Sequence, residues 1–453
     1  MKKVALQVLV LGLIVMLLLT ACAPAATSTA EPTKAPEEAQ PAPTQAEPAQ
    51  PPAETVTLVV WDQYARDVES EVMNQINKEF EEAHPGVKIE RVVKSFDDLK
   101  TTIKLALGQP DGPDVAQVNQ GQDMVAIVAG DLLLPLDDYA TKYKWREIFP
   151  ESLNSRNSAT ATGFGQGNLY GMSVTAEFVG VYYNKGMFEK YGWKLPTTFD
   201  EFTKLLADIK AAGETPITFG DLDGWPGIHT FSSVQHVLVD VDYINNFTYG
   251  LNNVSFDIPE NREAAKIVQG WAKDGYFTDG FMGIGYDDSL KIYKSGQGAL
   301  MITGTWAAGE FVTDTDQKFG NFLMPQKTVD TPQLAIGGVG LPFCIRKGTK
   351  NADLAAEYIN FLVSPRAAQL WAEKGMLPAA PLPADYKVEE GTLLADQVAA
   401  WGTLLKSNGI GHYIDWATLT MYDTLNAELQ KLFAGETTPE QFTAAIQADY
   451  AKR

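Results

Sequence analysis

Nucleophilic, metal and phosphate chemistry each need particular residues at particular spacings, and this chain lacks them. Its four histidines, His84, His229, His236 and His412, include no pair at the close spacing of a zinc-binding helix. Gly-Lys occurs nowhere, so a phosphate-binding P-loop is absent, and there is no Gly-x-Ser-x-Gly elbow. "GFGQGN" (Gly163–Asn168) lacks the third glycine of a dinucleotide loop and reads as a flexible loop, while "DLDGWPG" (Asp221–Gly227) has too few ligand positions for a calcium loop. No cofactor and no metal site are expected. Trp61 and Asp62 close the first strand, where open α/β sheets place ligands, although Trp61 could equally cap the core. Asn119, Gln120 and Gln122 follow the third strand and offer planar donors and acceptors. Trp225 is loop-borne, a stacking platform beside the acceptor Asp223, with a plain turn as the alternative. With 57 acidic residues present, the carboxylate pair of a glycosidase is not excluded.

The elements that must position these groups alternate along the chain. Val56–Trp61 is a β-branched run that reads as a buried strand. Val68, Val72, Ile76 and Phe80 then mark one helical face, ended by His84-Pro85-Gly86. "VKIERVV" is a second strand; Ser95 with Asp98 caps a helix carrying Phe96, Leu99, Ile103 and Leu107; "PDVAQV" is a third strand, followed by a helix over Met124–Ala129. This order predicts a parallel sheet with helices on its faces. "EFVGVYYN" resumes the pattern, and Thr198 with Glu201 opens a helix through Ile209. A further helix covers Ala352–Val363, and Ser364-Pro365 starts another that Gly375 ends. About 400 residues are too many for one ordinary core, so two α/β lobes are the economical reading.

The N-terminus has a separate logic. Lys2 and Lys3 precede an apolar run from Val4 to Leu19, shorter than a spanning helix and shaped like a secretion signal. Leu19-Thr20-Ala21-Cys22 resembles the lipobox of bacterial lipoproteins, which implies cleavage after residue 21 and lipidation of Cys22. Ala23 to Glu54 contains no Val, Ile, Leu, Phe, Tyr or Trp and many prolines, so it reads as a disordered stalk reaching at most about 100 Å. Cys344, in "LPFCIRK", is then the remaining cysteine, a packed thiol with no disulfide partner. The chain carries a net charge of −21, and loss of residues 1–21 takes two lysines and no acid, to about −23. So acidic a body is repelled by phosphate backbones, so no nucleic-acid partner is expected.

Six segments, in order, resemble the family 1 extracellular solute-binding proteins, the capture lipoproteins of bacterial ABC importers for sugars. They begin with "LVVWDQYARDVESEVMNQINKEFEEAHPGVKIE" and "GPDVAQVNQGQDMVAIVAGDLLLPLDDYA". "YGMSVTAEFVGVYYNKGMFEKYGWKLPTTFDEF" and "YKSGQGALMITGTWAAGEF" follow. The last two are "GGVGLPFCIRKGTKNADLAAEYINFLVSPRAAQLWAEKGMLPA" and "LFAGETTPEQFTAAIQADY". The resemblance implies a two-lobed, periplasmic-binding-protein-like α/β fold with a ligand cleft between lobes joined by hinge strands. It places a signal peptide at 1–21, the lipidated cysteine and stalk at 22–54, an N-terminal lobe at 55–176 plus 342–378, and a C-terminal lobe at 177–341 plus 379–453. Chain crossings are expected near Glu177–Tyr182, near Ala335–Leu341 and after Leu377-Pro378.

The implied function is a non-enzymatic, membrane-tethered, monomeric receptor outside the cytoplasm that hands a carbohydrate to ABC permease subunits. Sugars call for flat rings over their CH patches and planar polar groups for their hydroxyls. Trp306, in "ITGTWAAG", stands where the family often has a stacking tryptophan, and Glu177 sits at the first crossing, with a solvated hinge charge as its alternative. Some relatives carry an aromatic where this chain has Asn119, Gln120 and Gln122, a departure that implies hydrogen bonding there. Gly337 and Gly338 either bring backbone close to the ligand or ease the hinge. Trp416 and Tyr422 are weaker candidates. A lipoprotein glycoside hydrolase and a capture protein for a non-sugar solute such as a polyamine are the alternatives, the second because Asp62, Asp223 and Glu177 are acidic.

Overall fold

The structure is a computed structural model that describes residues 55–453; the signal-like segment, Cys22 and the stalk lie outside the described residues. The strands are β1 (Val56–Asp62), β2 (Val87–Val93), β3 (Val115–Gln117), β4 (Ser158–Ala159), β5 (Asn168–Leu169), β6 (Gly171–Met172), β7 (Ala176–Asn184), β8 (Leu300–Gly304), β9 (Phe319–Phe322), β10 (Ala335–Val339), β11 (Phe343–Ile345) and β12 (Ile410–Gly411). They build two five-stranded sheets and a small ribbon of β4 with β5.

The first sheet runs β2-β1-β3-β11-β6. Strands β2, β1 and β3 are parallel, as the alternation of strands and helices predicts. The wholly parallel sheet does not extend further: β11 is antiparallel to both β3 and β6, because β11 alone enters the sheet in the opposite sense, while β6 runs the same way as β3. Helix Asp67–Ala83 buries Val72, Met73, Ile76 and Phe80 against this sheet and its helices. Phe80 meets Tyr358 edge-on at 5.2 Å, and the Tyr358 hydroxyl donates to Asn77 Oδ1 at 2.6 Å, so the buried Asn77 on this face has a partner. Ser95 and Ser364 cap their helices by accepting from Asp98 N and Ala367 N, each at 3.2 Å. Thr198 does the same for Glu201 N at 3.3 Å, but the Glu201 carboxylate turns to Thr197 instead of closing a capping box.

The second sheet runs β12-β10-β7-β8, with β9 also paired to β7. Nine-residue β7 is its spine, antiparallel to β10, β8 and β9 along successive stretches. Helices on this sheet bury Phe202, Phe231, Phe247, Trp271 and Phe442 in a core separate in composition from that of Leu58, Val60, Phe343 and Trp371 in the first. The chain passes between the sheets at 173–175, at 340–342 and near 377–379. These passages are sewn together by backbone bonds: Ala176 N to Leu377 O at 3.0 Å, Ala379 N to Val174 O at 3.0 Å, and Gly340 N to Thr175 O at 2.9 Å. "GFGQGN" is no free loop, since Phe164 is buried and packs on Tyr249 at 4.9 Å.

Asp62 is fully buried and forms a two-pronged ion pair with Arg91 of β2, at 2.6 and 2.7 Å, while also accepting from Tyr64 N at 2.9 Å. Removing one member of such a pair strands the other charge in the protein. Asp62→Ala should therefore cost about 3–5 kcal/mol of stability in urea unfolding; a loss below about 1 kcal/mol, the usual yield of an exposed pair, would contradict this role.

Candidate functional site

A cavity of about 440 Å³ lies between the two sheets, beside the passages that join them. Its first wall comes from the loop after β1 (Gln63 to Arg66), from Phe96 and Asp97 at a helix start, and from Asn119 and Gln120 after β3. Thr175, Glu177, Leu341 and Met376 come from the passages or next to them. The opposite wall is Asp223, Trp225 and His229, then Tyr286, Trp306, Tyr413, Asp415, Trp416 and Tyr422.

That opposite wall is a run of aromatic rings. Trp225 begins helix Trp225–Leu238 directly after Gly224, whose φ of +77° suits glycine. The Trp225 ring lies 4.3 Å from Tyr286 and 6.2 Å from Trp306; His229 bridges Trp306 at 5.3 Å to Tyr413 at 5.5 Å; and Tyr413 reaches Trp416 at 5.1 Å. Trp306 follows β8, and a Cβ on Gly304 would fall 2.0 Å from its ring, so glycine makes the space the indole occupies. The Trp306 indole N–H donates to Tyr286 Oη at 2.8 Å, and Tyr286 Oη meets Thr303 Oγ1 at 2.8 Å. The rings are thus fixed before anything binds, which limits the entropy lost on contact. Burial pushes His229 down to about 3, so it faces the cavity as neutral imidazole.

Polar groups lie among the rings. Glu177 Oε1 accepts from Tyr413 Oη at 3.1 Å. Burial pushes Glu177 up to about 7, against the Tyr413 hydrogen bond and the charge of Arg156. Asp415 rises to about 6 for the same reason, opposed by Lys100. Asp97 is raised by burial and by the charge of Asp223. Asp223 Oδ2 accepts from Tyr286 N at 2.7 Å. The cationic side chain on the cavity, Arg66, is held 2.8 Å from buried Glu69. Among the described residues no cluster of three or more His, Cys, Asp or Glu is arranged to hold a metal ion.

Of the residues chosen from sequence, Asn119, Gln120, Glu177, Asp223, Trp225 and Trp306 line the cavity. Asn119 shares its amide with Asp123 at 2.7 Å. Gln120 spends its amide on Val339 O and Gly340 O, both at 3.0 Å, so it braces the passages. The structure places the others elsewhere. Asp62 is spent on Arg91, and Trp61, on the opposite face of β1, lies 4.5 Å under Lys94. Past that strand end, the loop at Gln63–Arg66 lines the cavity. Gln122 faces a small recess with Lys100 and Thr418. Gly337 and Gly338 present no surface to the cavity. A Cβ on Gly337 would lie 2.2 Å from Glu177 O, and Gly338, at φ +148°, packs on Arg156, so both serve strand contact. Arg156 is itself buried and donates to Gly337 O at 2.6 Å, Ile410 O at 3.0 Å and His412 Nδ1 at 3.0 Å.

Sequence reading missed Tyr64, Arg66, Phe96, Asp97, His229, Tyr286, Tyr413 and Asp415, and undervalued Trp416 and Tyr422. "HYIDWATLTMYD" concentrates aromatics and acids outside a clear helical period, a signal that could have found four of them. Trp145, Trp271 and Trp371 are buried packing residues, and the Cys344 thiol is fully buried with its pKa pushed up by that burial.

Glu177 gives a pH signature. Its folded pKa of about 7 lies above the ordinary glutamate value of 4.5, so the stability it contributes is present below pH 4.5 and lost as pH rises through 7. Glu177→Gln should stabilise the ligand-free protein at pH 8 by about 1–3 kcal/mol relative to its effect at pH 4.5. Scanning calorimetry at the two pH values checks this, and an equal shift at both would contradict it.

The profile of a family described as bacterial extracellular solute-binding protein matches residues 66–369. The multiple sugar-binding protein of Streptococcus mutans serotype c is 25% identical over 331 residues, covering 68% of this chain and 71% of that protein. A structure from work on xylan utilisation by Caldanaerobius polysaccharolyticus aligns with TM-score 0.77 at 24% identity, over 87% of this chain and all of its own. A chitin oligosaccharide binding protein aligns with TM-score 0.75 at 21% identity, over 88% and 98%. The structural likenesses carry the two-lobed fold. The profile covers most of the chain from the loop after β1 to the helix after Pro365, and on that match the chain belongs to the family of bacterial extracellular solute-binding proteins.

Proposed function

We propose that this protein is a non-enzymatic capture receptor for a carbohydrate, which it delivers to the permease subunits of an ABC importer. The observation that carries the reading is the fixed wall of rings, Trp225, Trp306, Tyr413 and Trp416, facing carboxylates and amides across one cavity. Flat rings cover the CH faces of a pyranose, and carboxylates accept from its hydroxyls in charge-assisted bonds. The cavity size falls in the range that encloses small ligands. Relatives whose printed names include sugar-binding and diacetylchitobiose binding support the ligand class.

The lobes are proposed as 55–176 with 342–378 and 177–341 with 379–453, hinged at the three passages, so that ligand favours the conformation whose two walls it touches together. The receptor is a monomer held at the outer face of the cell membrane through lipid on Cys22. Among the described residues no helix is long and apolar enough to cross a membrane, and the family is extracellular, which support a tether in place of a span. Transport energy comes from a separate ATPase, since this sequence has no P-loop.

Calorimetric titration of the purified protein with mono- and oligosaccharides tests the reading, each mixture being checked afterwards for cleavage. Saturable binding of intact sugar is expected. Trp306→Ala should weaken it about 10- to 100-fold, and Trp225→Ala in the same direction. Cleaved sugar would indicate a glycoside hydrolase, and unchanged affinity in both tryptophan variants would overturn the site.

A further inference from the structure

His229 stands in the middle of the aromatic wall with neither ring nitrogen engaged. Helix Trp225–Leu238 turns Trp225, Ile228 and His229 to the cavity, the face made by residues three and four apart. The imidazole lies 5.3 Å from the Trp306 ring, 5.5 Å from Tyr413 and 5.1 Å from Trp225. Nδ1 is enclosed by protein and has no hydrogen-bond partner. Nε2 is not enclosed, and among the described residues it has no partner either. Since His229 is half-buried and lines the cavity, Nε2 is the nitrogen that a ligand reaches.

A neutral imidazole carries one N–H and one bare lone pair, and burial keeps this ring neutral at pH 7. Which nitrogen holds the proton is set by what the other nitrogen meets. At Nδ1 an N–H would be enclosed with no acceptor, a rarer and costlier arrangement than an enclosed lone pair. The proton therefore belongs on Nε2, and the ring offers the cavity a donor. Several other donors on the cavity are spent. The Trp306 N–H goes to Tyr286, the Tyr413 hydroxyl to Glu177, and the amides of Asn119 and Gln120 to Asp123 and to backbone carbonyls. A sugar hydroxyl that donates to a carboxylate still has its oxygen free to accept. For the fold alone, a ring with an enclosed, unpartnered nitrogen is a poor choice, and phenylalanine would fill the place without that cost.

We propose that His229 is a specificity-determining contact of this receptor, its Nε2–H donating to an oxygen of the bound carbohydrate that lies between Trp306 and Tyr413. This rests on the carbohydrate reading above and adds to it a selection for ligands with an acceptor oxygen at that position over those with hydrogen there.

The test titrates wild type and His229→Phe calorimetrically with maltose, cellobiose, xylobiose and diacetylchitobiose, and measures the melting temperature of both proteins without sugar. The tightest ligand of the wild type is expected to weaken about tenfold in the variant, with the spread of affinities across the panel narrowed. The melting temperature of the variant is expected to equal or exceed that of wild type, a combination that a packing role does not produce. NMR of the imidazole nitrogens at pH 7, in a chain with four histidines, should show His229 protonated at Nε2 and that resonance moved by the same ligand. His229→Gln supplies the assignment if the phenylalanine variant does not fold. Undiminished affinity in folded His229→Phe, or a proton found on Nδ1, would overturn the inference while leaving carbohydrate capture standing. A lower melting temperature together with weaker binding would assign His229 to packing and overturn it as well. No binding by any sugar of the panel would overturn both.

Discussion

The structure depends on three chain passages held side by side by backbone hydrogen bonds. Val174–Ala176, Gly340 and Leu377–Ala379 exchange N–H and C=O groups at 2.9 to 3.0 Å. Ser173 Oγ and the Gln120 amide close on Gly340 O from the first sheet, at 2.5 and 3.0 Å. Backbone groups out of reach of water must be paired, and here they pair with one another, while Ala176 and Leu377 also pack in a small apolar cluster with Phe178, Ala335 and Leu404. Everything functional is arranged around that seam. It sets the base of the cavity, and it explains why residues far apart in sequence, Glu177 and Met376 among them, share one wall.

Around the seam the protein accepts local arrangements that oppose stability. Among the described residues, half-buried Glu177 and Asp415 have no cationic partner at ion-pair distance, and burial raises both pKa values. Tryptophans 225 and 306 leave part of their rings uncovered. By contrast, the carboxylate that serves the fold, Asp62, is fully buried and doubly bonded to Arg91. The acids differ by what surrounds them: buried Asp62 is matched with a cation, and the cavity-lining Glu177 and Asp415 keep acceptor capacity to spare.

That contrast also marks the limit of legibility in the sequence. Helix faces such as Val72–Ile76–Phe80 and caps at Ser95, Thr198 and Ser364 were readable because they depend on residues within a turn of one another. The parallel order of β2, β1 and β3 followed from the alternation of elements. Nothing local announced that β11 would join that sheet antiparallel, nor that Asp62 had a partner 29 residues away on the next strand. Trp225 and Trp306 were legible as candidates, the first from its loop and the second through resemblance, whereas Tyr286 was not. Its neighbours in sequence are ordinary helix and turn residues, and only long-range packing turns it toward the cavity.

The sequence by itself determined an acidic α/β protein of about two lobes without P-loop or zinc-helix spacing, because hydrophobic period and motifs are properties of short windows and charge is a plain sum; the binding role came through resemblance. Tertiary structure decided which polar groups face the cavity and which are consumed in ion pairs and seam contacts. The reason is that a side chain's availability depends on whether a partner from a distant strand reaches it first: Arg91 reaches Asp62, and among the described residues no cation reaches Glu177 within ion-pair distance.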